Sequence, residues 1–214
     1  MTTPTLEEAK KIQEKLRQQV ILEDQLGDVQ YVAGVDAGFE ENYQVTKAAV
    51  AVLKFPELTV VETATAKIKT TFPYIPGFLS FREVPALLEA LDQLTTKPHL
   101  ILCDGQGYAH PRRLGLACHL GVLLDCPTIG VAKSRLIGHH EEVGREKGDW
   151  TPLWDNGEEV GVVLRSRTNV KPLYISPGHK ISLPTAINYV LRCTTKYKLP
   201  ETTRLADHLA SQKD

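Results

Sequence analysis

At 214 residues, 42% of them hydrophobic, the chain can bury one core of ordinary α/β size, and its formal net charge of −1 excludes a general polyanion coat. No charged-then-apolar leader follows Met1, and no apolar run approaches the ~20 residues of a membrane helix. The four cysteines form no CxxC pair; Cys103, Cys118 and Cys126 lie in apolar runs and read as small buried hydrophobes of a soluble, cytoplasmic protein with no membrane partner. In chain order, Thr5 and Glu8 make a capping-box pattern, and Leu6, Ala9, Ile12 and Leu16 predict a helix over 5–18. Strand-like runs follow at 31–35, 48–55 and 59–68, the last two joined at Pro56-Glu57, as in an antiparallel meander. A Pro/Gly stretch from Pro73 to Gly77 punctuates the chain before Val84, Leu87, Leu88, Leu91 and Leu94 mark a second helix. A short apolar strand at 100–103 ends in Asp104. The run 114–124, apolar on all sides, predicts a buried, closely packed helix, and 128–131 a buried strand. Residues 138–159, charged and Gly-rich with Trp150 and Trp154, read as a loop or an exposed hairpin; strands at 160–164 and 172–175 and a helix at 183–193 complete the pattern. Three strands followed by alternating helix and strand predict an α/β fold, a mixed sheet with helices on both faces, in one domain over 1–214.

Charge is spread unevenly. Eight Lys/Arg stand against one acid, Glu201, between Arg165 and Arg204, while residues 1–64 are net acidic. A basic C-terminal third suits a phosphate backbone, and a solvated helix face would look similar.

Asp36 follows the run Tyr31-Val-Ala-Gly-Val35, and Asp104 follows Leu100-Ile-Leu-Cys103, so both read as strand-end carboxylates, the place where α/β sheets hold their chemistry. Ionised and partly buried without a partner, such an acid costs several kcal/mol. A cation resolves that cost, and hard oxygen ligands favour Mg²⁺ or Mn²⁺ over zinc. The alternative for each is a turn residue accepting backbone N–H bonds. Glu83 fits a capping box with Ser80, but Pro85 then falls at the fifth helical position, where its missing N–H is needed, so the helix either starts at Ser80 or begins later with Glu83 at its mouth. Lys133 follows the strand Thr128-Ile-Gly-Val131 closely enough to neutralise a phosphate or to be an ordinary surface lysine. Gly105 and Gly107 let backbone approach a ligand beside Asp104, although the third glycine of a dinucleotide fingerprint is missing.

Four blocks in order carry a more specific signal: Val32-Ala-Gly-Val-Asp-Ala-Gly-Phe39, Pro73-Tyr-Ile-Pro-Gly-Phe-Leu-Ser-Phe-Arg-Glu83, Asp104-Gly-Gln-Gly-Tyr-Ala-His-Pro-Arg-Arg113 and Gly130-Val-Ala-Lys-Ser-Arg-Leu136. Together they resemble the endonuclease V family of deoxyinosine 3′ endonucleases, and the likeness runs from the N-terminal helix to Pro200-Glu-Thr-Thr-Arg-Leu-Ala-Asp207. The resemblance implies a ribonuclease H-like fold, Asp36 and Asp104 as metal ligands, and Glu83 as an acid supporting the metal-bound water. It implies that Asp207, otherwise only a polar residue on a C-terminal helix, lies near the metal. It further implies that Lys133 stabilises charge at the scissile phosphate and that His110 contacts DNA near the lesion. The implied reaction is in-line hydrolysis with Mg²⁺, with Mn²⁺ as substitute, at the second phosphodiester bond 3′ to the lesion, leaving a 3′-hydroxyl and a 5′-phosphate.

Within that resemblance Pro73-Tyr74-Ile75-Pro76 reads as a wedge, two prolines bracing Tyr74 and Ile75 for entry into a base stack; an ordinary proline-rich turn is the other reading. A flipped hypoxanthine offers O6 as acceptor, which backbone N–H groups near Gly77, Phe78, Leu79, Gly105 and Gly107 could bind while leaving adenine's amino group unpaired, at a cost of ~1–3 kcal/mol. The expected partner is DNA containing deoxyinosine or another deaminated base, met by a monomer. The rival readings are an inosine-specific endoribonuclease of the same fold, a non-catalytic nucleic-acid-binding module, and a small-molecule phosphohydrolase.

Overall fold

In a computed structural model, which describes residues 2–213, the chain forms one eight-stranded mixed sheet. The elements are α1 (Leu6–Arg17), β1 (Tyr31–Glu40), β2 (Val45–Lys54), β3 (Thr59–Lys69), α2 (Ser80–Asp92), β4 (Leu100–Asp104), α3 (Leu116–Leu124), β5 (Thr128–Ala132), β6 (Trp150–Asp155), β7 (Glu158–Leu164), β8 (Leu173–His179), α4 (Leu183–Cys193) and α5 (Glu201–Ser211). Strand order is β3-β2-β1-β4-β5-β8-β7-β6. β1, β4 and β5 run parallel at the centre, and antiparallel strands extend the sheet to both edges.

The central strands are nearly continuous apolar runs because helices cover both faces. Val32, Leu100, Leu102, Ile129 and Val131 point to the face closed by Ala186, Ile187, Val190 and Cys193 of α4, with Leu205 and Leu209 of α5 packed against them. Their neighbours Ala33, Val35, Ile101 and Cys103 point to the other face, against Val84, Leu87 and Leu91 of α2 and Leu116 and Leu120 of α3. This period-two alternation fixes where the acids go. Even-numbered residues of β1 and β4 face α5, and Asp36 and Asp104 continue that series.

The first strand differs from its predicted extent. It does not stop at Val35 but runs on to Glu40, paired with β2 throughout, so Asp36 lies inside a strand rather than at its end. Its parallel partner β4 does stop at Asp104, with Val35 opposite Cys103; the next residue of each strand is therefore an aspartate. The carboxylate of Asp36 is at a strand terminus only in the sense that its neighbour ends there. The 138–159 segment resolves into β6 and a hairpin to β7, turned at Asn156 and Gly157, both with positive φ (52° and 78°) as a two-residue type I′ turn requires.

Candidate active site

Asp36, Asp104 and Asp207 each offer a carboxylate oxygen, and the three lie within 4.8 Å of one another. Asp207 arrives on α5, which presses on β1 at Gly34. A Cβ there would stand 1.9 Å from the Thr202 carbonyl oxygen, so only glycine lets α5 come this close. Lys133, just past β5, donates to Asp104 Oδ2 at 2.6 Å and to Asp207 Oδ1 at 3.0 Å. Burial alone would lower its pKa, but the hydrogen bonds and charges of Asp104 and Asp207 outweigh that and hold the ammonium firmly protonated.

The acids pay for their proximity. Burial, then the repulsion of Asp104, pushes Asp36 up to about 8 despite the opposing pull of Lys133. Burial also raises Asp104, against the hydrogen bond from Lys133. Glu83 rises to about 8 through burial and then the charges of Asp36 and Asp104. Three converging oxygen donors, of which Asp36 and Asp104 are held back from ionising by burial, fit a hard divalent cation, which would supply the charge that one lysine only partly provides.

Glu83 comes from the opposite layer. α2 begins at Ser80 with Leu79 as its cap and no side-chain cap bond, so the Ser80–Glu83 capping box does not form and the later start does not occur either. Ser80 Oγ is instead paired with His119 Nδ1 at 2.9 Å. Pro85 stays inside the helix, and Glu83 lines a cavity of about 450 Å³ together with Asp104, Lys133, Gly77, Leu79, Gly105 and His110. A larger cavity of about 760 Å³, between Leu88, His99 and Cys126, lies at the far end of the strands and holds none of these acids. The chemistry belongs to the smaller one.

Of the segment Pro73 to Pro76, Tyr74 and Pro76 line the cavity, and the two proposed wedge residues part company. Tyr74 is 69% exposed, whereas Ile75 packs inward against Ala9, Phe72 and Phe78 and anchors the segment. His110 lines the same cavity. It is buried, its Nε2 is 2.9 Å from the Gly77 carbonyl, and its Nδ1 accepts from the Arg112 amide. Burial drives its pKa down to about 4, so the imidazole is neutral and braces the Gly77 carbonyl.

Three of the five backbone donors assigned to the pocket are already spent. Phe78 N–H binds Ile75 O, Gly105 N–H binds Val131 O, and Gly107 N–H binds Ser176 Oγ. Gly77 and Leu79 N–H have no partner among the described residues, and both residues line the cavity. Two further groups were not assigned from the sequence. Arg82, buried beside Glu83, stacks over Phe39 at 4.5 Å with Tyr74 at 5.7 Å and Tyr43 at 6.0 Å, and its Nε lacks a hydrogen-bond partner among the described residues. Only its place next to Glu83 hinted at this. Lys198 is held below the usual lysine range by burial and then by the charges of Lys171 and Lys133.

The endonuclease V family model matches residues 14–208. The chain belongs to the endonuclease V family. It is 70% identical over 209 residues to the endonuclease V of Rippkaea orientalis, a match that covers 98% of this chain and 91% of that protein. The structure of endonuclease V from Streptomyces avermitilis superposes with a TM-score of 0.93 at 46% identity, covering 97% of this chain and 92% of the other. An endonuclease V from Ciona intestinalis, solved with a 23mer DNA containing an inosine followed by a ribo-adenosine, superposes at 0.85 with 33% identity, covering 98% and 97%. The fold is thus the ribonuclease H-like fold of endonuclease V, a nuclease family that works with divalent metal. Among the described residues no helix is long and apolar enough to cross a membrane.

Proposed function

We propose that this endonuclease V is a Mg²⁺-dependent repair enzyme, monomeric and cytoplasmic, acting as one domain, which recognises deoxyinosine in DNA and hydrolyses the second phosphodiester bond 3′ to it. The observation that carries the reading is the convergence of Asp36, Asp104 and Asp207 within 4.8 Å, beside a cavity rimmed by an exposed tyrosine. Asp36, Asp104 and Asp207 would hold the ion, with oxygen donors that suit Mg²⁺ and admit Mn²⁺. When bound, the ion supplies Lewis-acid stabilisation of the charge that develops on the phosphate.

The chain's own residues do the remaining work. Glu83, protonated up to about pH 8 in the free protein, becomes the proton acceptor once a cation offsets the neighbouring charges. Lys133, paired with the same Asp104 and Asp207 that would hold the ion, is the ammonium placed for the scissile phosphate. Tyr74 fills the gap left in the stack by the extruded base. The unpaired N–H groups of Gly77 and Leu79 then meet its O6, and adenine's amino group would leave them unsatisfied, which costs ~1–3 kcal/mol. The products are a 3′-hydroxyl and a 5′-phosphate.

A second reading, strand cleavage beside a ribonucleotide, is favoured by the ribo-adenosine after the inosine in the Ciona intestinalis complex. Two duplexes identical except for a 2′-hydroxyl on the nucleotide following the inosine separate them. Nicking of the all-deoxy strand at a comparable rate is expected. Nicking of the ribonucleotide strand alone would replace DNA with RNA as the substrate.

A further inference from the structure

The Gly77 carbonyl oxygen is held by an unusual number of donors. Gln13 Nε2 reaches it at 2.9 Å from α1, His110 Nε2 at 2.9 Å, and Arg112 Nη2 at 2.8 Å. A carbonyl has two lone pairs, so three donors, one of them charged, leave it no freedom to rotate. Gln13 ties the arrangement together, because its amide oxygen also accepts from Arg112 Nε. It is fully buried, although glutamine is a residue type that ordinarily stays in water. Both ends of its amide are used, the nitrogen on the Gly77 carbonyl and the oxygen on the Arg112 guanidinium that holds the same carbonyl.

The loop it holds lines the cavity assigned above to the base. Ile75-Pro76-Gly77-Phe78 closes with Phe78 N–H on Ile75 O at 3.0 Å, with proline second and Gly77 third at φ +82°, the pattern of a type II turn. A Cβ on Gly77 would lie 2.6 Å from Arg112 Nη2, so turn and guanidinium are fitted to each other. Arg112 Cζ also sits 4.2 Å over the Phe78 ring, fixing the residue between the two unpaired donors.

We propose that Gln13 is a positioning residue for base recognition: its amide, with Arg112 and His110, clamps the Gly77 carbonyl and so keeps the Gly77 and Leu79 N–H groups directed into the cavity. This rests on the base-reading role proposed above. Gln13 does not touch the substrate; it sets the geometry of groups that do. Helix α1 thereby has a function in discrimination, although it contributes nothing to the carboxylate cluster.

Two variants of the full chain test this. Gln13→Leu keeps the volume and removes both hydrogen bonds; Gln13→Glu keeps a partner for Arg112 and sets oxygen against the Gly77 oxygen. Affinities for a deoxyinosine duplex and for the matching adenine duplex are measured with Ca²⁺ replacing Mg²⁺, together with thermal melting and steady-state nicking in Mg²⁺. The expected result is at least a tenfold fall in the inosine-to-adenine affinity ratio in whichever variants melt cooperatively, with KM rising more than kcat falls. An unchanged ratio in a folded variant would overturn the inference. Failure of both variants to fold would also overturn it, in favour of a purely structural role. A wild-type protein with no preference for inosine would instead overturn the base-reading role itself, and this inference with it.

Discussion

Lys133 carries the most testable chemistry at the level of single residues. It spans Asp104 and Asp207, so its loss removes a counter-charge from the free protein and, on the proposed role, a phosphate ligand from the complex. Lys133→Met is expected to lower single-turnover nicking by ~10²-fold, the scale of removing one preorganised donor, while inosine-duplex binding in Ca²⁺ falls far less. Loss of binding with an unchanged cleavage step would assign the lysine to docking instead. His110 behaves oppositely to a surface imidazole. Its folded pKa of about 4 is below the unfolded value of about 6.5, so its contribution to stability is present above pH 6.5 and is lost as pH falls through about 4. The protection factor of the Phe78 amide, which closes the 75–78 turn, should therefore fall between pH 6.5 and 4 in wild type and show no such step in His110→Asn. The acids at 36 and 104 could be picked out from sequence by their position after apolar strands. The internal partner of His110 was not legible, because nothing in its sequence neighbourhood reveals a carbonyl 33 residues away.

The interval between β1 and α5 governs the site at the level of elements. Gly34 lets the two come into contact, and Asp207 depends on that contact for its place beside Asp36. Gly34→Val is expected to cost more than the ~1–3 kcal/mol of ordinary overpacking, because the opposing atoms are backbone, and to lower the melting temperature and the metal affinity together. A stable variant with wild-type metal affinity would show that α5 can shift without moving Asp207. Helix α2 shows why local signals misread Glu83. Ser80 and Glu83 have the spacing of a capping box, but Ser80 is claimed by His119 across the helix layer. Tertiary pairing overrides the local option. By contrast the β6–β7 hairpin was open to a firmer reading than loop or exposed hairpin, since Asn156-Gly157 is the strongest short hairpin signal there is. The run past Val35 was harder to see, because Ala37 and Gly38 have low strand propensity and are held by pairing with β2.

The free protein as a whole stores repulsion that a cation relieves. Asp36 and Glu83 have folded pKa values of about 8, above the unfolded carboxylate range near 4. Their protonated forms favour the fold fully below pH 4, and that stability is lost as pH rises through about 8. A divalent ion favours the ionised forms and releases those protons. The rise in melting temperature on adding Mg²⁺ should therefore be larger at pH 8.5 than at pH 6, and nicking should accelerate over the same range. A Mg²⁺ effect on melting that shrinks with rising pH would contradict this. The layered α/β architecture followed from hydrophobic period and element order, and the family from four ordered blocks; the choice of Gly77 and Leu79 as free donors needed the hydrogen-bond partners of every other loop amide. Metal-dependent cleavage beside a deaminated base by the three-aspartate cluster is tested most directly by the mapped position of the nick in an end-labelled duplex with one central deoxyinosine, incubated with Mg²⁺ and either wild type or Asp36→Ala. A single nick at the second phosphodiester bond 3′ to the inosine, abolished by Asp36→Ala and by EDTA, is predicted; an intact strand, or a nick that survives Asp36→Ala, would contradict it.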